Sequence, residues 1–199
     1  TSSGSSMSWQ HTTGSGNDRI LLVSVDIARG ASSTAPTTIT AITYGGVSLT
    51  QVTSAVYTST VNPQVRSYVY ILVNPTSGTN TISVTFASST YAVGGSVTYT
   101  NVNQATPILA SNSTTSYGSS QSVSLTALGT YSKVLFGHLG TYRATTYSIS
   151  EDSGQTNRWS QTSQQYKGVG SDKAVTSGVV ATSWSTSRSV SSVAIAVLL

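Results

Sequence analysis

The 199-residue sequence contains no cysteine, so neither a disulfide framework nor thiolate chemistry is open to it. Charge is scarce too: Asp, Glu, Lys and Arg make up 7% of the chain, against about 25% in ordinary soluble proteins. The only acids are Asp18, Asp26, Glu151, Asp152 and Asp172, and this shortage accounts for the net charge of +4. The bases are scattered singly, without the clustering along one face that a nucleic-acid footprint needs. With so few carboxylates to protonate, acid tolerance is expected. No apolar run approaches the ~18 residues of a membrane-spanning helix. Nor does any window hold a 3.6-residue hydrophobic period with caps, so essentially no helix is expected. Neither nucleic acid nor a membrane span is expected among its partners.

What remains is a strand-forming composition. Roughly a third of the residues are Ser or Thr, which supply polar surface without charge, and Thr favours strands. Apolar residues alternate with polar ones between turn signals along the whole chain. In residues 20–28, Leu21, Val23, Val25 and Ile27 share one face, and Leu22, Ser24 and Asp26 the other. Strands are expected at 37–44 and 47–57, joined by a Gly45-Gly46 turn, and at 64–73, 81–86 and 91–100. Others are expected at 121–128, 133–138, 145–150, 157–165, 178–184 and 189–199, with a polar loop over 106–120. The last segment is apolar on both faces, so it should be central or covered. The expectation is an all-β, antiparallel, jelly-roll-like β-sandwich of about eleven strands in one domain over 9–199, with a closed barrel as the alternative. No repeat at a fixed period is visible in the sequence.

Few residues suggest chemistry. A hydroxyl nucleophile needs a base in reach and a group orienting that base. His11 and His138 are isolated in sequence, neither lies in a Gly-x-Ser-x-Gly elbow, and both read as structural. Glu151 and Asp152 are adjacent in a turn-like stretch rather than apart as a glycosidase pair would require. No catalytic residue, cofactor or transition metal is expected, which sets an enzyme below non-enzymatic readings. Structural calcium, with Asp18, Asp152 or Asp172 as ligands, is a minor alternative. Asn112-Ser113-Thr114 is the one N-glycosylation pattern. Trp159, Trp184, Tyr68 and Tyr70 are candidate glycan-stacking platforms and Trp9 a weaker one, although core packing explains each of them as well.

Several phrases occur together: Trp9-Gln10-His11-Thr12 with Gly14 and Asn17-Asp18-Arg19 before Ile20-Leu21-Leu22-Val23; Tyr44-Gly45-Gly46-Val47 with Leu49-Thr50; Val73-Asn74-Pro75 with Gly78-Thr79-Asn80; and Gly154-Gln155-Thr156-Asn157-Arg158-Trp159. In this order, over nearly the whole chain, they resemble an uncharacterised extracellular β-sandwich module of secreted and surface proteins of environmental microbes. The resemblance implies an extracellular location and a sandwich fold, and it brings no catalytic residues with it.

Beginning at Thr1 without a leader pattern, the chain reads as a processed, secreted form. Thr1, Ser2, Ser3, Gly4, Ser5, Ser6, Met7 and Ser8 carry too little apolar surface to order themselves. They read as an extended segment able to add a strand to a neighbouring copy. The expected function is a non-enzymatic subunit of a self-assembling, pilus-like surface filament, a homopolymer held by strand addition. The alternative is a carbohydrate-binding or adhesion module that contacts surface glycans.

Overall fold

The computed structural model describes residues 3–30, 34–129 and 131–199. Among them are thirteen strands and no helix. The first half of the chain holds β1 (Gly4–Thr13), β2 (Ile20–Arg29), β3 (Ile39–Tyr44), β4 (Val47–Ser48), β5 (Thr50–Tyr57), β6 (Gln64–Val73) and β7 (Gly78–Tyr99). The second half holds β8 (Ala110–Ala127), β9 (Lys133–Tyr142), β10 (Ile149–Glu151), β11 (Thr156–Ser163), β12 (Tyr166–Val175) and β13 (Gly178–Leu198). All pairings are antiparallel, and they form one sheet from each half.

The two sheets face each other across a core that includes Ile20, Leu22, Val69, Phe136, Val193, Ile195 and Val197. Their outer faces are apolar as well, and each is covered by a fold-back of its own sheet. Residues 78–86 of the 22-residue β7 pair with β1 and β3, whereas 91–99 pair with β2. The small polar stretch between lets the strand bend, and the flap β3-β7-β1 closes over Leu21, Val23, Val25 and Ile27. The 21-residue β13 repeats the device: 178–185 pair with β8, 190–198 pair with β8 and β9, and the flap covers Leu135, Leu139, Ala194 and Ala196. Both faces of β2 and of the end of β13 are therefore buried, as the doubly apolar sequence of 189–199 requires.

The halves are structural duplicates. β1–β7, β2–β6, β2–β7, β3–β7 and β5–β6 recur as β8–β13, β9–β12, β9–β13, β10–β13 and β11–β12. Register is kept: Thr13 opposes Gly78 as Ala127 opposes Gly178, Gly4 opposes Thr90 as Gly118 opposes Val190, and Ala28 opposes Tyr91 as Tyr142 opposes Ser191. Gly78 and Gly178, each after Thr-Ser, both have positive φ, 101° and 83°. The expectation of no repeat is thus corrected at the level of structure. Loops of unequal length and divergent side chains hide the duplication from any fixed sequence period.

Other differences are local. The expected strands 81–86 and 91–100 are one continuous strand, as are 178–184 and 189–199. The expected loop 106–120 is mostly the first half of β8. Gly45 and Gly46, both at positive φ, make the tight turn from Tyr44 to Val47.

Candidate functional site

Two places combine polar chemistry with an unusual environment. The first is sealed between the sheets. Alternation along β2 points Asp26 away from Val25 and Ile27 and into the inter-sheet core, where it is 2% exposed. Its Oδ1 accepts from Ser67 Oγ of β6 at 2.5 Å and lies 2.8 Å from His138 Nε2 of β9, whose ring is fully buried. His138 Nδ1 faces the carbonyl of Val169 at 3.2 Å. Both ring nitrogens thus face acceptors. The residue types of a hydrolytic triad meet here in a different order, because Ser67 donates to the carboxylate and not to the imidazole. The arrangement is a clamp joining one half to the other.

Glycines make room for this clamp. A methyl group at Gly140 would overlap Asp26 Oδ1, and one at Gly168 would overlap Oδ2. The indole of Trp159 lies over Gly95, Gly168 and Gly170 and stacks on His138 at 5.5 Å. Strand glycines signal such close approach, but Gly95 and Gly140 are far in sequence from Gly168 and Gly170, so the side chains they make room for, Trp159 and Asp26, are invisible there.

The second place is a groove of about 410 Å³ along residues 92–96 of β7, walled by β1 on one side and by β11 on the other. Gly94 and Gly95 point to opposite faces, and each is covered by an indole, Trp9 from β1 and Trp159 from β11. Trp9 Nε1 donates to Ser96 Oγ at 3.1 Å, Ser96 Oγ lies 2.9 Å from His11 Nδ1, and His11 Nε2 lies 2.7 Å from Thr98 Oγ1. These bonds latch β1 onto β7. Burial pushes the His11 pKa down, so the neutral ring is favoured.

The groove runs along a strand edge. Among the described residues, 91–99 pair only with β2. The equivalent stretch of β13, 190–198, pairs with β9 on one side and with residues 110–118 of β8 on the other. Main-chain groups alternate in direction along a strand. The bond from Leu109 N to Leu198 O points the even-numbered residues of β13 toward β8. By equivalence Ala92, Gly94, Ser96 and Thr98 turn their N–H and C=O groups to the open edge.

Other expected site residues lie elsewhere. Trp184, Tyr68 and Tyr70 are 1%, 5% and 7% exposed and pack in the two outer cores, so burial removes them as surface glycan platforms. Trp159 lines the groove along β7, and so does Trp9. Asn112 sits on a strand rather than a loop, and its amide is engaged: Nδ2 donates to Ser124 O, and Oδ1 accepts from Ser113 N. Of the expected donor segment, Gly4, Ser5, Ser6, Met7 and Ser8 form the start of β1 in their own chain. Ser3 precedes it, and Thr1 and Ser2 lie outside the described residues.

The three calcium candidates do not converge. Asp18 occupies a turn at φ 49°, and Asp152 Oδ2 accepts from Ser183 Oγ. Asp172 Oδ2 accepts from Tyr99 OH at 2.6 Å and from Arg158 Nε at 2.7 Å. Burial and this carboxylate push the Tyr99 pKa up, and the same carboxylate raises that of Arg158. No three His, Asp or Glu residues cluster as metal ligands among the described residues. Among the described residues no helix is long and apolar enough to cross a membrane. Compared with family models, with curated proteins and with solved structures, the chain matches none.

Proposed function

We propose that this protein is a non-enzymatic, extracellular structural subunit whose copies join by β-strand addition into a surface filament. The observation that supports the reading is the groove along residues 92–96 of β7: among the described residues 91–99 pair only with β2, whereas the twin stretch 190–198 of β13 also pairs with β8. An unpaired edge is a template for another chain, and main-chain hydrogen bonds supply affinity when a strand is added to it. The uncharged, Ser/Thr-rich surface supports an extracellular setting. Of the aromatic residues named for a glycan-binding reading, Trp9 and Trp159 line the groove while Trp184, Tyr68 and Tyr70 are buried, which leaves that reading the weaker one.

Ala92→Pro tests the proposal, because it removes an N–H from the open edge where an edge strand tolerates proline. Filaments seen by negative-stain microscopy for the parent chain, and their loss in a folded Ala92→Pro protein, are the expected results. A parent chain that stays monomeric at high concentration, or a variant that assembles as the parent does, would contradict it.

A further inference from the structure

The clamp between the halves also brings together the parts of a covalent cross-link. We infer that Ser67 Oγ condenses with the carboxyl group of Asp26, with His138 as the acid, to leave an ester that joins β6 to β2. The cross-link goes beyond the filament reading and does not depend on it.

Asp26 and Ser67 stand directly opposite each other in the β2–β6 ladder, so their side chains enter the same face within cross-strand reach. Asp26 Oδ1 meets two partners at once, Ser67 Oγ at 2.5 Å and His138 Nε2 at 2.8 Å. The other oxygen, Oδ2, is buried and has no hydrogen-bond partner among the described residues. A bare carboxylate oxygen is costly in such a place, whereas an ester carbonyl there carries no charge. Gly140 leaves room for both reacting groups. A Cβ at that position would lie 2.5 Å from Asp26 Cγ and 2.5 Å from Ser67 Oγ, so the two atoms to be bonded crowd one point.

The step starts from a protonated His138, with Nδ1 facing the Val169 carbonyl, beside the Asp26 carboxylate. Ser67 Oγ bonds to Asp26 Cγ, and the Cγ–Oδ1 bond breaks. Oδ1 takes one proton from Ser67 Oγ and one from His138 Nε2 and leaves as water. His138 keeps its Nδ1 proton and ends neutral. Nothing is oxidised or reduced, and no co-reactant is needed. Holding the two groups opposite each other turns a bimolecular encounter into an intramolecular one. Burial favours the products: Asp26, Ser67 and His138 are at most 2% exposed, and a buried ion pair, which carries a desolvation cost, gives way to neutral groups. Trp159, stacked on the imidazole at 5.5 Å, closes that side to the water that would reverse the step. The bond closes residues 26–67 into a ring, and so gives a cysteine-free chain the constraint that a disulfide gives others.

The intact mass of the purified, acid-unfolded protein reads the ester directly. It should be one water below the mass of the sequence. Trypsin should release residues 20–29 joined to residues 67–133, the peptides bounded by Arg19, Arg29, Arg66 and Lys133. Ser67→Ala should have the full mass of its own sequence, folded or not, and brief alkali should return the missing water to the unfolded parent. A folded His138→Gln protein, whose amide donates a hydrogen bond but gives up no proton, should contain at least tenfold less of the linked form. Full linkage in that variant would remove His138 from the step. A parent protein still at full mass after long incubation at neutral pH would overturn the inference. So would a missing water that stays on peptide 20–29 and survives Ser67→Ala, the mark of a succinimide at Asp26.

Discussion

The two halves of this chain share a pairing scheme and differ where function is to be found. In the second half an 18-residue strand, β8, lines the whole length of β13. In the first, the 10-residue β1 lines only the beginning of β7. The inter-sheet clamp is unequal too: Asp26 stands where its twin is Gly140, and Ser24 where its twin is His138. Duplicates thus became complementary, one half supplying the carboxylate and the other the imidazole and the space. A difference between equivalent positions is more informative here than any single motif.

That comparison can be broken at its strongest point. Asp26→Ala leaves His138 buried without its partner, and Gly140→Ala drives a methyl into the same carboxylate. Each should cost on the order of 3–5 kcal/mol by chemical denaturation, the usual loss when one member of a buried pair is removed. A loss under about 1 kcal/mol for either would mean that the halves are held by apolar packing alone.

A proline scan of the edges sharpens the contrast. Ser192→Pro removes a main-chain donor that faces β8 and strands a buried carbonyl, at a cost on the order of 3 kcal/mol. Ala92→Pro, its twin, loses no main-chain bond to a neighbouring strand but borders the outer core, so it should cost the monomer clearly less, about 1 kcal/mol. Equal costs at the two positions would show that the edge of β7 is already paired.

Acid should distinguish β1 from β8. His11 has its folded-state pKa below the unfolded value of 6.5, so unlatching takes up a proton. The latch is at full strength above pH 6.5 and weakens as pH falls below it. Hydrogen exchange at residues 9–13, corrected for intrinsic rates, should quicken between pH 7.5 and 5, while residues 120–127 stay unchanged. His11→Gln should remove the difference. A small effect is expected at the outer edge of β8, where Asn112→Ala loses two exposed bonds, one to Ser124 O and one from Ser113 N. Thermal unfolding should place that loss at about 0.5–1.5 kcal/mol.

Much of the fold was legible because burial wrote itself into alternation. The two-faced apolar pattern of 189–199 announced a strand covered on both sides, and Gly45-Gly46 announced a tight turn. Residues 110–118 were not legible as a strand: they form an edge exposed on most of its length, so no apolar period marks them. Nor was β12, whose Gly168, Gly170 and Ser171 are small because Trp159 and the clamp crowd them rather than because they turn. The candidate site was hidden for a related reason. Ala92, Gly94, Ser96 and Thr98 matter through their main chain, and which edge lacks a partner depends on the pairing of the whole sheet.

Amide exchange resolved by residue in the dilute monomer tests the central claim most directly. The amides of Ala92, Gly94, Ser96 and Thr98 should exchange at least a hundredfold faster than those of Ser192, Ala194, Ala196 and Leu198, and should become protected when filaments form. Equal protection of the two sets in the monomer would contradict the account.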